Sequence, residues 1–160
     1  PLLDALAEGS RTFSELTSDE SLKHITFPQL NQALQLMTGI GYVTPGPATN
    51  PEGTNESIDK FNASLGTQAR LGNDCPAVAS PAVGGGITLD RISQLILDAL
   101  RQNQPEPAEF VCDIVFSQGQ RFVRNGKQLE TREENVEQVK ELIDNFRKAT
   151  QPVLARCGVS

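Results

Sequence analysis

Apolar residues recur at helical spacing in the first 45 residues. The pattern predicts a short helix at 2–6, a second short helix after Thr12 and a longer helix that begins after Thr26. Thr12 and Glu15 have the spacing of a capping box, in which each residue satisfies a backbone N–H at the start of the helix. The face of the longer helix is formed by Phe27, Leu30, Leu34 and Met37. The first 45 residues are therefore predicted to form three helices of unequal length.

Gly39 and Gly41 are predicted to end the longer helix, and Tyr42–Val43 then indicates a short strand before Pro45. The order helix, short helix, longer helix and strand is typical of a winged-helix unit. A plain three-helix bundle is the alternative. We favour the winged helix.

The rest of the chain alternates between turn-rich stretches and apolar segments. We expect a loop at 44–57, a helix at 58–71, irregular structure at 72–86 and a helix at 87–102. Residues 108–117 favour a helix, although their β-branched content also fits a strand. Asn125-Gly126 predicts a hairpin within 121–130, because both residues tolerate the positive φ of a type I′ turn. A long capped helix is then expected from Thr131 to a break near Pro152.

These elements predict a mainly α fold with small β hairpins, arranged as tandem winged-helix-like units. The predicted parts are a winged-helix-like unit at 1–47, a linker and irregular segment with one helix at 48–86, and a C-terminal winged-helix-like unit at 87–160. The four residues Leu-Asp-Ala-Leu occur at 3–6 and again at 97–100, which is a weak sign of an internal repeat.

The charge balance argues against a nucleic-acid-binding protein. The formal net charge is −6, and residues 27–43 contain no Lys or Arg that could neutralise phosphates. A local basic patch is predicted on the hairpin, formed by Arg121, Arg124 and Lys127. We interpret this patch as a solvated hairpin tip.

No catalytic, cofactor-binding or metal-binding residue is predicted in this chain. His24 lies in a polar spacer and has no nearby cysteine, and no nucleophile-elbow or zinc-site spacing is present. The thiols of Cys75, Cys112 and Cys157 are interpreted as buried and free, in a reducing cytosol. The glycines at 84–86 lack a preceding central strand, so we expect a flexible loop that leads into a helix capped by Thr88.

No signal peptide is visible, and no apolar run approaches the roughly 20 residues that would cross a bilayer. We therefore expect a cytoplasmic protein without a membrane partner. The chain opens on Pro1, without Met, directly into a helical pattern. This start leads to the expectation that the chain is cut from a longer protein.

Several stretches together form a recognisable pattern: LLDALAEGSRTFSEL at 2–16, LNQALQLMTGIGYVTP at 30–45, Phe61-Asn62, ASPAVG at 79–84, Asn125-Gly126-Lys127, the capped helix from Thr131, and the ending at 154–159. Together they resemble the C-terminal part of bacterial class I S-adenosylmethionine-dependent methyltransferases of the protein lysine type. Proteins of this family carry a methyltransferase regulatory domain and a winged-helix C-terminal region. The resemblance implies that S-adenosylmethionine binds to an N-terminal Rossmann-like domain of a parent protein, and that this chain itself holds no cofactor.

The resemblance implies a non-catalytic regulatory or substrate-positioning region. We expect it to pack on the catalytic domain of the same parent chain, to shape access to the cofactor cleft, and to meet a protein substrate. The expected contact residues are Phe27, Leu30, Leu34, Met37 and Tyr42. Two alternatives are retained, a winged-helix DNA-binding regulator and a module that forms homodimers.

Overall fold

The chain forms two compact units, Pro1–Asn50 (unit 1) and Pro51–Ser160 (unit 2), in a computed structural model. The structure describes residues 1–47, 54–72 and 74–159. In these ranges helices dominate and the strands form two small antiparallel hairpins, which confirms the prediction of a mainly α fold with small β hairpins. The central part of the loop predicted at 44–57 lies outside the described residues.

The described residues of unit 1, 1–47, form three helices and one 3₁₀ turn. These are α1 (Leu2–Ala7), α2 (Phe13–Ser18), the 3₁₀ turn Glu20–Leu22, and α3 (Phe27–Gly39). The Thr12 and Glu15 capping box is formed, with the Glu15 amide 3.2 Å from the Thr12 hydroxyl and the Thr12 amide 2.7 Å from Glu15 Oε2. The hydrogen bonds that the Thr12 amide and the Thr12 hydroxyl donate to this carboxylate lower the pKa of Glu15. The core of unit 1 is small and contains Leu2, Ala5, Leu16, Leu22 and Leu30.

The strand predicted at Tyr42–Val43 is wrong. The backbone N–H groups of both residues donate to the carbonyl of Met37, at 2.9 and 3.3 Å, after Gly41 turns the chain with φ +79°. These N–H groups therefore cap the end of α3 and are not free to pair with a strand. Among residues 1–47 unit 1 contains no strand, so its described part is a helical unit without the wing.

Unit 2 is organised around α5 (Arg91–Arg101), which follows α4 (Thr54–Ala69) and the hairpin of β1 (Ala77–Ser80) and β2 (Gly85–Thr88). After it come α6 (Pro107–Ser117), β3 (Val123–Arg124), β4 (Lys127–Gln128) and α7 (Arg132–Asn145). A five-residue π turn, Phe146–Thr150, then leads into α8 (Gln151–Arg156). The centre of the core is formed by α5, α6 and α7. Five of their residues are fully buried: Leu95, Ala99, Val111, Cys112 and Val139. Helices predicted at 87–102 and 108–117 are thus confirmed as the middle of this unit.

Residues 54–72 and 74–86, which lie in the region predicted as a linker and irregular segment at 48–86, fold as part of unit 2. These residues form α4 and most of the β1–β2 hairpin, in which Val78 pairs with Ile87. The glycines at 84–86 turn this hairpin and enter β2, so the flexible loop expected there is wrong. The following helix is capped by Asp90 and not by Thr88, since the Asp90 side chain accepts from the Ser93 amide and Thr88 pairs with Ala77.

The end of the chain docks on the turn of this first hairpin. The Ser80 hydroxyl donates to the carbonyl of Cys157 at 2.7 Å, and Val159 is buried. A methyl group on Gly158 would lie 2.7 Å from the Cγ atom of Pro81, and Gly158 has φ +71°. Both facts require glycine at this position.

The second hairpin has the predicted turn. Asn125 and Gly126 have φ of +51° and +76°, as the type I′ turn requires. The hairpin is held to α7 by the fully buried Asn135, whose amide accepts from the Phe122 N–H at 2.9 Å. The Asn135 amide also donates to the carbonyls of Leu129 and Thr131, at 3.0 and 2.6 Å. One side chain therefore satisfies backbone groups on both sides of the turn.

The break predicted near Pro152 is wrong, because the helical path continues through the π turn into α8. Pro152 occupies the first turn of α8, where a backbone N–H is not needed for the helix. The π turn lies immediately before it and widens the backbone where a normal helix would meet the proline ring.

Replacing Asn135 by alanine should lower the free energy of unfolding of unit 2 by about 2–3 kcal/mol, because three backbone groups around the hairpin each lose a hydrogen bond. Chemical denaturation measures this loss. Asn145→Ala on the exposed side of the same helix is the matched control and should change stability by less than about 0.5 kcal/mol. Equal effects of the two variants would show that Asn135 does not hold the hairpin.

Candidate functional site

The predicted contact residues of unit 1 divide between its core and its surface. Leu30 is buried, and Leu34 and Met37 are partly buried against the same core. Phe27 and Tyr42 are exposed, at 62% and 72%. Three of the five residues therefore hold unit 1 together, and two are available to a partner.

Phe27 belongs to an exposed aromatic pair with Phe13. The ring centroids are 5.1 Å apart and the planes meet at 63°, an edge-to-face arrangement that suits the quadrupoles of two rings. Phe13 lies directly after the Thr12 cap and Phe27 directly after the Thr26 cap, so two helix N-termini place the rings. The pair links α2 and α3 and still leaves ring surface open to solvent.

Two further exposed residues on α3 were not predicted. Leu36 and Ile40 are exposed at 63% and 64%, and their spacing of four residues places them on one face of the helix. This face flanks the buried stripe of Leu30 and Met37 on the side opposite to Phe27, by the rotation of 100° per residue. The sequence contains these two apolar residues outside the core stripe. The spacing of apolar residues alone does not distinguish an exposed apolar face from a neighbouring buried one.

The sequence segment that contains α3 carries no charge. No Asp, Glu, Lys or Arg occurs from Ile25 to Pro47, so Leu36 and Ile40 have no charged neighbour in the segment. We call Leu36, Ile40 and Tyr42 the neutral apolar residues of unit 1. Exposed apolar residues without nearby charge are typical of protein contact surfaces, where charged residues are depleted at the core of the interface.

The basic patch of the second hairpin is largely engaged within unit 2. Arg124 forms an ion pair with Glu141, with Nη2 2.6 Å from Oε2, and its Nε donates to the side chain of Gln138. The guanidinium of Arg121 stacks over the ring of Phe116 at 4.2 Å. Lys127 lies on β4 and is exposed. The three residues therefore share the hairpin but do not present three free charges.

The helix before this hairpin carries acidic residues. On α6, Glu109 and Asp113 both pair with Arg132, and Asp113 Oδ1 lies 2.7 Å from Nη2. The hydrogen bonds that Arg132 donates to Asp113 and to Glu109 raise the pKa of Arg132. Carboxylates on this helix disfavour an approach to the phosphates of DNA.

Three buried polar side chains of α4 and α5, Asp98, Asn62 and Gln94, are hydrogen-bonded within unit 2. Asp98 is 6% exposed; its Oδ2 accepts from Arg70 Nε and Nη2, at 2.9 and 2.7 Å, and its Oδ1 accepts from Gln102 at 2.7 Å. Asn62 exchanges two hydrogen bonds with the backbone of Ala79. Gln94 donates to the carbonyls at the base of the first hairpin, Cys75 at 2.7 Å and Leu89 at 2.9 Å.

A recess between Asn62, Gln94, Asp98 and Arg101 is about the size of one water molecule, which is too small for a substrate. Its floor is Gly66, where a methyl group would come within 2.9 Å of Asp98 Oδ1. The carboxylate and the helix backbone are thus in direct contact. The arrangement binds α4 to α5 and leaves no room for a reacting group.

The thiols and the histidine do not form a site. Cys112 is buried, and burial raises its pKa to about 11, so the thiol stays protonated near neutral pH. Cys75 is exposed and Cys157 is half-buried, which corrects the expectation that all three cysteines are buried; all three are free. His24 is exposed. Within residues 1–47, 54–72 and 74–159 no three His, Cys, Asp or Glu side chains are grouped as metal ligands.

No helix in the described part of the chain combines the length and the apolar character needed to cross a bilayer.

The fold and the surface define a mainly helical chain of two units, in which the exposed apolar residues of unit 1 are the best candidate site.

Comparison with known proteins yields one relative over the whole chain. A protein of Synechocystis sp. (strain ATCC 27184 / PCC 6803 / Kazusa), named uncharacterized protein sll1526, is 38% identical over 161 residues. The alignment covers 100% of this chain and 32% of the relative, so the chain spans about a third of the length of the protein it matches. No protein-family model matches the chain. No solved structure matches it.

Gly66→Ala should destabilise unit 2 by about 1–3 kcal/mol, because the new methyl group must displace a carboxylate that Arg70 and Gln102 hold in place. Thermal or chemical unfolding measures the change. Gly85→Ala is the control, since nothing lies within 4 Å of a methyl group there and its φ is not positive. A neutral Gly66→Ala variant would mean that Asp98 moves freely and does not bind α4 to α5.

Proposed function

We propose that this chain is a non-catalytic regulatory or substrate-positioning region of a bacterial S-adenosylmethionine-dependent methyltransferase, which acts by contact with the catalytic domain of its parent protein. The observation that carries the contact is the exposure of Leu36, Ile40 and Tyr42 in a stretch, Ile25 to Pro47, that contains no charged residue. The methyltransferase assignment rests on the sequence resemblance at 2–16, 30–45 and 79–84.

The polar groups of the described residues support a non-catalytic role. Catalysis needs a nucleophile, an acid or a base that is accessible and free to react. In unit 2 the buried Asp98, Asn62 and Gln94 are engaged with neighbouring side chains and backbone, and the Cys112 thiol is buried and protonated. These groups stabilise the unit.

The length of the Synechocystis relative is compatible with a region that works inside a larger protein. The part of that relative outside the alignment is about twice as long as the aligned part. In the parent proposed here, that additional part includes the domain that binds S-adenosylmethionine, and a protein is the methyl acceptor. We place the parent in the cytoplasm of a bacterium.

A contact within one polypeptide needs only a modest apolar surface. Two parts of one chain meet at an effective concentration in the millimolar range when a short flexible linker joins them. Three exposed apolar residues on a small unit are then sufficient to keep it docked, although they are too few for a stable interface between separate proteins.

DNA binding has less support than protein contact. The longest helix of unit 1 has no positive charge, and the helix before the second hairpin carries Glu109 and Asp113. Arg124 is paired with Glu141. A protein that cannot neutralise several phosphates has little affinity for a duplex at physiological salt.

The chain should therefore show no salt-dependent binding to a DNA duplex at about 0.15 M salt, since phosphate contacts dominate such affinity. Fluorescence anisotropy with a labelled duplex measures this, and an Arg121→Ala, Lys127→Ala variant is compared with the unchanged chain. Binding that falls in the variant and weakens with salt would favour the DNA-binding regulator over our proposal.

The Leu36→Gln, Ile40→Gln variant of the parent protein should lose about tenfold or more in the rate of methyl transfer to its protein substrate, since two contact residues are worth about 1 kcal/mol or more each. Glutamine keeps the helix, because its helix propensity is close to that of leucine. The measurement is transfer of labelled methyl groups from S-adenosylmethionine.

The matched control is Phe61→Gln, Val153→Gln, which removes two apolar side chains of unit 2 that are each 54% exposed. This control should transfer methyl groups at the unchanged rate. Equal rates for both double variants and the unchanged parent would remove the proposed contact. Sedimentation of the chain alone tests the homodimer, in which the same apolar residues would be covered by a second copy.

A further inference from the structure

The two units differ in the interactions that hold them together. In unit 1, hydrogen bonds between described residues join positions no more than six apart in sequence, as in Val43 to Met37. In unit 2, Ser80 bonds to Cys157, Gln118 to Arg70 and Arg70 to Asp98, which lie 77, 48 and 28 positions apart. In the described part of unit 1, the helices are therefore held to each other by apolar packing.

The apolar packing of unit 1 is small. Its buried apolar residues are Leu2, Ala5, Leu16, Leu22 and Leu30. Its exposed large apolar residues are Leu3, Phe13, Phe27, Leu36, Ile40 and Tyr42. The exposed set is larger than the buried set, which is the reverse of unit 2, where four exposed residues accompany a core of sixteen buried residues.

A unit of this size lies at the lower limit for independent folding. Domains of about 60 residues bury only about 60% of the surface that their unfolded chain exposes and are marginally stable, and those below about 40 residues usually need disulfides, metals or association. The described part of unit 1 has no cysteine and no metal-ligand group. Association is therefore the remaining source of additional burial.

We infer that unit 1 is the labile unit of this chain and becomes fully ordered only when its neutral apolar residues, Leu36, Ile40 and Tyr42, are covered by the remainder of the parent polypeptide. This inference rests on the proposed function, because it takes its contact partner from there. The partner surface is apolar and uncharged, since nothing between Ile25 and Pro47 offers a charge to pair with.

The choice of partner follows from the relative and from the charges. The chain aligns over its whole length with about a third of the Synechocystis protein. In that protein, the covalently linked polypeptide outside the alignment is about twice as long as the aligned part. Nucleic acid and an anionic surface are disfavoured by the missing positive charge on α3. Linked polypeptide also costs less entropy on docking than a separate molecule.

The consequence is a conformational coupling. When the contact forms, unit 1 is ordered, and when the contact opens, α3 frays while unit 2 keeps its structure through its long-range hydrogen bonds. Elements that respond to regulation are drawn from the least stable part of a protein. Unit 1 would thus report the state of the catalytic domain.

Hydrogen–deuterium exchange with mass spectrometry tests this inference on the intact parent and on the 160-residue chain. In the 160-residue chain, amides of α3 should exchange about 100-fold faster than those of α5, because opening of unit 1 costs less than opening of unit 2. In the parent, the amides of α3 should be protected to the level of α5.

The Leu36→Gln, Ile40→Gln variant separates docking from intrinsic helix stability. In the parent it should restore fast exchange in α3, and in the 160-residue chain it should leave exchange unchanged, because both side chains are already exposed there. Phe61→Gln, Val153→Gln is the control and should leave α3 protected in the parent.

Two results would overturn the inference. One is equal protection of α3 and α5 in the 160-residue chain, which would show that unit 1 is stable without a partner. The other is a parent in which the Leu36→Gln, Ile40→Gln variant leaves α3 protected. A parent that binds no labelled S-adenosylmethionine but shows the expected exchange would remove the methyltransferase assignment and leave the coupling intact.

Discussion

The burial of one face of α3 is the constraint on which unit 1 and its proposed contact depend. Leu30 is packed against α1 and α2 residues, and this orientation turns Leu36 and Ile40 away from the core. A helix of thirteen residues cannot bury apolar residues on opposite flanks within a unit of three short helices. The same packing that holds unit 1 together therefore also produces its exposed apolar surface.

Unit 2 solves the problem of stability in another way. Its core is larger, and buried polar side chains connect elements that are distant in sequence: Asp98 joins α5 to α4, and Asn135 joins α7 to the second hairpin. Such hydrogen bonds are worth most when the groups are excluded from water, and leaving one unpaired is costly. These hydrogen bonds fix the positions of the helices and hairpins of unit 2, although its strands are short. The buried polar side chains therefore serve to stabilise the fold.

The neutral apolar residues of unit 1 and the hydrogen-bonded polar groups of unit 2 support the same proposal for function. Chemistry needs free polar groups in a recess, and contact needs exposed apolar groups without charge. Among the described residues, Leu36, Ile40 and Tyr42 supply the second, and the buried Asp98, Asn62 and Gln94 are engaged in hydrogen bonds. In the proposed regulatory region, unit 2 would be the stable base and unit 1 would be the part that responds to its partner.

The sequence by itself determined the elements whose signals are local. The capping boxes at Thr12 and Thr131, the type I′ turn at Asn125-Gly126 and the helix face around Leu30 depend on residues within a few positions of each other. Only the tertiary structure decided whether Tyr42–Val43 pairs as a strand, whether the glycines at 84–86 belong to a hairpin, and whether Leu36 and Ile40 are covered. Each of these depends on a partner distant in sequence or on the competing use of a backbone group, as when the Met37 carbonyl accepts from Tyr42. A pattern of apolar positions contains no information on which of two competing partners is nearer in space.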